Sequence, residues 1–171
     1  MTQSEMLALV RKLINDEQAT GFTESRTLED AGGTVELLNY LDRAVHAYSR
    51  RLADAKELRL MKRMIVINGA ALPEDFISFC GAVPISIEGG LISFYGEDDS
   101  FDGNTVRYFA RLPLVTSYTE NQEMPYTNED CIIISALAAI YALNKMEFDV
   151  SQNLMLLGYG GVANTNGNAD K

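Results

Sequence analysis

Residues 72–96 read LPEDFISFCGAVPISIEGGLISFYG, and this stretch decides the fold class. Leu72-Pro73 opens an extended or turn segment, because proline fixes its own backbone and restricts the residue before it. Residues 88–90 are Glu-Gly-Gly and stand between two alternating apolar runs, which is the pattern of a β-hairpin. The apolar residues of these two runs are Ile85, Ile87, Leu91, Ile92 and Phe94.

Further strands are predicted on both sides of this hairpin. Residues 59–76 switch to β-branched and alternating character, with Asn68-Gly69 as turn residues. Residues 104–115, NTVRYFARLPLV, alternate so that Val106 and Tyr108 share one face of a strand while Arg107 and Phe109 share the other. Residues 61–125 are therefore predicted to form a small antiparallel module of four or five strands.

Apolar residues at helical spacing lie on both sides of this module in the sequence. This spacing predicts a first helix over residues 3–17 and a second from Thr34 to about Leu58. Thr27 with Asp30, and Thr127 with Asp130, resemble capping boxes at helix starts. The segment after the second box is apolar on most of its circumference, so we expect it to be the central helix. A short helical piece is expected around SQNLMLLGY, residues 151–159.

These elements predict an α+β fold in which a helical bundle carries an inserted antiparallel β-module. We expect residues 1–60 and 126–158 to form the bundle and residues 61–125 to form the insertion. Residues 159–171 are rich in glycine and asparagine without periodicity, so they are predicted to be a flexible C-terminal tail.

Charge and hydropathy limit the possible functions. The chain has 171 residues, of which 47% are apolar and 22% charged, as is typical of a folded soluble protein, and its formal net charge is −10. An acidic surface disfavours a protein that binds nucleic acid tightly, although it suits a passage through which DNA slides. The longest apolar run, Cys131 to Leu143, is shorter than the roughly 20 residues that cross a bilayer. Residues 1–17 lack the charge order of a secretory signal, so we expect a cytoplasmic protein.

Residue types that carry chemistry are sparse. His46 is the only histidine, so the usual zinc sites and a Ser/His/Asp arrangement are disfavoured. Cys80 and Cys131 lie in apolar segments without metal spacing and are predicted to be buried free thiols. In the acidic loop 97–104, Asp98, Ser100, Asp102 and Gly103 match the first half of a calcium loop, but Phe109 stands where the glutamate should be. A solvated loop is favoured there, cation binding stays an open question, and we predict no enzymatic activity and no cofactor.

Several phrases together resemble the head-to-tail adaptor, or connector, proteins of tailed bacteriophages. The resemblance runs over roughly residues 5–150, and each phrase is short. Its phrases are LVRKLINDE at 9–17, LLNYLDRAVHAYSRRL at 37–52, LPEDFISFCGA at 72–82, VRYFARLPLV at 106–115 and MPYTNEDCIIISALAAIYAL at 124–143.

The resemblance implies a structural virion protein that is made in the host bacterial cytoplasm. It implies a homo-oligomeric, twelve-fold ring that joins the portal of the head to the next tail or neck protein. The ring lines a channel through which DNA passes without specific binding, and no membrane is involved. The helical part and the C-terminal tail would contact the portal, and the β-module would serve as an assembly surface.

Two sets of residues are candidates for these contacts. Apolar anchors for the portal are Leu154, Leu157, Tyr159 and Val162, with simple packing of Leu154 and Leu157 on the bundle as the alternative. A basic cluster on and just beyond the second helix would pair with acidic surface on a neighbouring subunit, with a plain solvated face as the alternative. The basic residues predicted for this contact are Arg43, Arg50, Arg51 and Arg59.

Two other classes of function compete with the connector. One is a small intracellular module, without a virion role, whose β-insertion binds a ligand or a peptide and which is a monomer or dimer. The other is an enzyme, which would need a cleft with converging acids whose titration is shifted. The isolation of His46 in the sequence disfavours the enzyme.

Overall fold

The computed structural model describes residues 1–16, 33–94 and 101–156 and shows a mixed α+β fold. Along the described residues, two helices come before five strands and a third helix follows them. The strands form small antiparallel sheets. The elements are α1 (Gln3–Leu13), α2 (Gly33–Asp54), β1 (Met61–Ile65), β2 (Phe76–Phe79), β3 (Ile85–Glu88), β4 (Leu91–Phe94), β5 (Thr105–Ala110) and α3 (Asn128–Leu156).

Helix α1 begins with a capping box that the sequence reading missed. The Thr2 hydroxyl accepts from the Glu5 amide at 3.2 Å, and the Glu5 carboxylate accepts from the Thr2 amide at 2.8 Å. The helix ends at Leu13, earlier than the predicted residue 17, because Asn15 adopts a left-handed backbone with φ of 60°. Left-handed residues of this kind close helices.

Helix α2 ends at Asp54 and not near Leu58 as predicted. Lys56 adopts a φ of 57°, which stops the helix, and Leu58–Leu60 then forms a 3-10 turn that leads into β1. The predicted capping box at Thr27 and Asp30 lies outside the described residues.

Helix α3 begins at the predicted Thr127–Asp130 capping box, in which Thr127 and Asp130 exchange hydrogen bonds of 3.1 and 3.2 Å. It runs without a break to Leu156, so most of the short helical piece predicted around residues 151–159 is its last turns.

Helix α3 is the central helix of the three, because it packs on both α1 and α2, but one of its apolar faces is uncovered. The buried face packs against α1 and α2, mostly through small residues that allow helices to approach closely. The opposite face leaves isoleucines exposed, among them Ile140 at 52% exposure. Within α3, Asn128–Gln152 is long and apolar enough to cross a membrane by length and composition alone. The residues of the buried face are Cys131, Ile134, Ser135, Ala138, Ala139 and Ala142.

The strands form two antiparallel sheets. One has the order β1-β5-β2, and the other is the predicted hairpin β3-β4. Gly89 and Gly90 connect the hairpin with φ values of 58° and 83°, the geometry of a type I′ turn. Hydrogen bonds between residues 69–72 and β4, including Ile92 to the Ala70 carbonyl at 2.9 Å, attach the hairpin to the segment after β1.

Three apolar cores follow from this arrangement. The largest lies among the three helices and includes Val115 and Met124 from the linker before α3. A second lies between the hairpin and the three-stranded sheet, around Val66 and Ile92. A third, formed by Ala53, Leu60 and Phe109, joins the end of α2 to the sheet.

Candidate functional site

An ion pair joins the turn before β1 to the first turn of α3. Arg59 donates to the two carboxylate oxygens of Asp130 at 2.6 and 2.8 Å, and the Tyr48 hydroxyl of α2 donates to the same carboxylate at 2.8 Å. Asp130 is only 2% exposed. Paired guanidinium bonds of this kind are among the strongest in proteins. Asp130 therefore connects two helices to the start of the sheet.

The pKa of Asp130 reflects this environment. Burial alone would raise the pKa, but the hydrogen bonds from Arg59, Tyr48 and Thr127 lower the pKa of Asp130 to about 2. The hydrogen bond to Asp130 raises the pKa of Arg59 in turn. Both groups are therefore charged throughout the physiological range.

A second network fixes the entrance to β2. The Asp75 carboxylate accepts from Lys62 at 2.5 Å and from the Tyr108 hydroxyl at 3.0 Å, and the Phe76 ring stacks on Tyr108 at 5.7 Å. Burial and then the bond to Asp75 raise the pKa of Tyr108 to about 12. Burial opposes ionisation of Asp75, yet the bonds from Lys62 and Tyr108 lower its pKa. This network joins all three strands of the sheet.

The linker between β5 and α3 is held by polar side chains of both earlier helices. Asp42 of α2 accepts from the Val115 amide at 2.6 Å and from the Thr116 hydroxyl at 2.5 Å. Gln3 of α1 donates to the carbonyls of Val115 and Tyr118, each at 3.1 Å. Local sequence patterns do not predict these contacts, because they join residues more than 70 positions apart.

His46 lies on the surface of α2 beside this linker. Its Nε2 is 2.8 Å from a guanidinium nitrogen of Arg111, so the neutral ring accepts from arginine. Burial and then the charge of Arg111 lower the pKa of His46, against a weaker opposing effect of Asp42. No catalytic arrangement surrounds it in the described part of the chain, and it acts as a helix-to-linker contact.

The four arginines of the predicted basic cluster differ in their contacts. Arg43 lies over the Tyr141 ring at 4.5 Å from its centre, and Arg59 is engaged by Asp130. Both therefore have partners within the chain, where they stabilise the packing of α3. Arg50 and Arg51 are exposed on α2.

The predicted portal anchors lie at the limit of the described chain. Leu154 belongs to the last turn of α3. The other three, Leu157, Tyr159 and Val162, lie outside the described residues, as does the tail at 159–171.

The two cysteines differ in exposure. Cys131 is fully buried, as predicted, whereas Cys80 is only partly buried, which corrects the expectation for that residue. Cys80 lines an open groove of about 510 Å³ between the end of α2 and β2, which is an edge strand of the sheet. Burial raises the pKa of both thiols, which disfavours a nucleophilic role.

The acidic loop is described only in part. Residues 95–100 lie outside the described ranges, and Asp102 accepts from the Asn68 amide at 3.1 Å. In residues 1–16, 33–94 and 101–156, no group of three or more acidic, cysteine or histidine side chains has the geometry to hold a metal ion.

Comparison with known protein families, curated proteins and solved structures finds no significant match to this chain. Its described polar side chains form contacts that join elements, and its exposed side chains form surfaces.

Proposed function

We propose that this chain is a structural virion protein, a subunit of the adaptor ring that joins the portal of a tailed-phage head to the tail. In this proposal the three helices are the bundle, and residues 61–125 are its inserted assembly module. Twelve copies form the ring, the host bacterial cytoplasm is the place of synthesis, and no catalysis occurs.

One observation carries the proposal: the phrases that resemble the connector family coincide with the contacts that join the elements. In LPEDF, Asp75 binds Lys62 and Tyr108. In the phrase that opens α3, Asp130 binds Arg59 and Tyr48. The phrases therefore include side chains that position two elements relative to each other, as the proposed architecture requires.

The charge of the chain supports the same proposal. A net charge of −10 per subunit would give a ring of such subunits a strongly acidic field. An acidic channel wall repels phosphates, so DNA would pass through the ring without being held.

The test is assembly on a portal ring encoded in the same genome. We expect the purified chain to co-elute with the portal as a ring when mass is measured by light scattering on a sizing column. A deletion of residues 157–171, which leaves the described part of α3 complete, should abolish co-elution if the tail contacts the portal.

A matched pair of variants refines this test. Serine at Leu157, Tyr159 and Val162 removes the apolar anchors and should weaken co-elution. Serine at Asn164 and Asn166 changes the same tail without removing apolar groups and should leave co-elution intact. A chain that stays a monomer or dimer and ignores portal rings would overturn the proposal.

The second candidate is the ligand-binding or peptide-binding module without a virion role. The groove beside Cys80 favours it, because its volume falls in the range of small-molecule sites and Phe79 and Phe109 supply apolar lining. This candidate predicts a monomer or dimer whose binding is blocked when Cys80 is alkylated. Assembly on portal rings that survives alkylation would count against it.

A further inference from the structure

The exposed face of α3 has an apolar centre and an acid at each end. Glu129 and Glu147 are about five helical turns apart, so they share one azimuth on the helix, roughly 27 Å from each other. Ile133 and Ile140 lie between them on the same face and are 41% and 52% exposed. A soluble helix normally buries such a row or replaces it with polar residues. We call this row, Glu129 to Glu147, the α3 stripe.

The three-stranded sheet has an uncovered region of opposite charge. Arg63 of β1 and Arg107 of β5 are directly opposite in the antiparallel pair, and both are exposed. Ile65, two residues along β1 on the same face, is 60% exposed. The end of α2 packs at Phe109 and does not cover these positions. We call Arg63, Arg107 and Ile65 the arginine face.

This pair of arginines brings like charges together, and the described residues offer them no carboxylate. Like charges directly opposite in a sheet destabilise it, and neither guanidinium has an ion-pair partner among the described residues. Elsewhere in the same acidic chain, Arg11, Arg59 and Lys62 each have a carboxylate partner. An acid from outside the chain would relieve the repulsion between Arg63 and Arg107.

The two surfaces match in spacing as well as in charge. Glu129 and Ile133 are one turn apart on α3, about 6 Å along its axis. Arg63 and Ile65 are two residues apart on β1, about 7 Å along the strand. A carboxylate set between two guanidiniums, with isoleucine against isoleucine beside it, satisfies both surfaces at once.

We infer that the Glu129 end of the α3 stripe docks on the arginine face of a second copy of this chain. The contact is heterologous, because one copy offers its helix and the next offers its sheet, and such contacts build rings or filaments. That the contact closes into a ring rests on the proposed function. That it joins two copies of the chain rests on the surfaces alone.

The experiment reverses charge on one surface at a time in the full chain. Light scattering over rising concentration, alone and on portal rings, measures association. Glu129→Arg should weaken association at least tenfold, and Arg63→Glu with Arg107→Glu should do the same. Mixing these two variants should restore association, because each then offers the other a complementary surface. Glu147→Arg, the same change at the other end of the stripe, is the matched control and should stay within twofold.

Folding is checked separately by the unfolding midpoint of each variant. Ile133→Gln, which leaves every charge in place, should also weaken association and gives a second reading if Glu129→Arg lowers stability. Equal effects of Glu129→Arg and Glu147→Arg, or no rescue on mixing, would overturn the inference. So would a chain that is monomeric at millimolar concentration and on portal rings, or a stripe that binds lipid vesicles or the portal subunit in place of a second copy.

The outcomes separate this inference from the proposed function. If the chain assembles on portal rings and the reversals have no effect, the docking contact is wrong and the connector stands. If the reversals and the rescue behave as expected but portal rings are ignored, the connector is wrong and the docking contact stands.

Discussion

Arg59 and Asp130 are 71 positions apart in the chain, yet two hydrogen bonds of 2.6 and 2.8 Å join them. The pair links the 3-10 turn that leads into β1 with the first turn of α3, and Tyr48 brings α2 to the same carboxylate. Together with the apolar contact of Ala53 and Leu60 with Phe109, this buried acid fixes the position of the sheet relative to the helices.

Removing the arginine should destabilise the fold. We expect Arg59→Gln to lower the free energy of unfolding by about 2 kcal/mol, because it leaves the Asp130 carboxylate buried without its cation. The loss of unfolding free energy should be smaller than for a fully buried ion pair, because 38% of the Arg59 side chain is exposed to solvent. Urea unfolding measures it. Arg51→Gln is the control and should have almost no effect, and equal losses in both variants would contradict the role given to Asp130.

The same acid should give stability a defined pH dependence. The pKa of Asp130 is lowered to about 2 in the folded chain, so its stabilising effect is complete above the unfolded value, about 4. The effect is lost as the pH falls through the folded pKa. The difference in unfolding free energy between the wild type and Asp130→Asn should therefore be constant from pH 7 to pH 5 and shrink towards pH 2. A difference that grows on acidification would contradict this sign.

His46 should titrate below the usual histidine range. It is the only histidine in the chain, so one ring proton signal in a proton NMR titration reports it. Burial and the charge of Arg111 lower the pKa of His46, and we expect a midpoint below 6.5. Arg111→Gln should raise that midpoint. Because the folded pKa is lowered, the contribution to stability is present above pH 6.5 and is lost as the pH falls towards the folded value. A midpoint at or above 6.5 would contradict the contact.

The two thiols should differ in their reactivity towards a labelling reagent. Cys80 is partly exposed at the groove and Cys131 is fully buried in α3. An aromatic disulfide reagent should label one thiol in the native chain and the second only on unfolding. Cys80→Ser should remove the native reaction, and Cys131→Ser should leave it. Two reactive thiols in the native state would show that the helical core opens.

The hairpin turn offers a test of backbone geometry. Gly90 has a φ of 83° with open space around it, so Gly90→Ala should cost about 1 kcal/mol through backbone strain alone. Gly89→Asn should be nearly neutral, because asparagine tolerates the first position of a type I′ turn. Thermal unfolding distinguishes the two. Equal costs would mean that side-chain contacts decide stability at this turn.

The sequence predicts which segments are helices and strands better than it predicts where the helices end and which of their faces pack. Alternation around residues 88–90 and the Thr127–Asp130 capping box are local signals, and both are confirmed. The early ends of α1 and α2 were missed because Asn15 and Lys56 adopt left-handed backbones that no local pattern required.

Contacts between distant residues account for most of the remaining differences. Arg59 is predicted from the sequence to pair with a neighbouring subunit, whereas the fold pairs it with Asp130, which no local pattern indicates. The apolar composition of α3 predicts a central helix, and α3 does pack on both α1 and α2, but that packing uses only one side of the helix. Composition reports that apolar surface exists, and only the fold shows which part of it stays uncovered.

The contacts of α1 determine when this helix can pack during synthesis. Ser4 bonds to the Glu120 carbonyl and Gln3 to those of Val115 and Tyr118, and the apolar face of α1 packs on α3. On a ribosome, α1 therefore emerges more than a hundred residues before its partner α3 is made, although α2 follows sooner. Met6 and Val10 therefore lack their contacts with α3 until that helix has been translated.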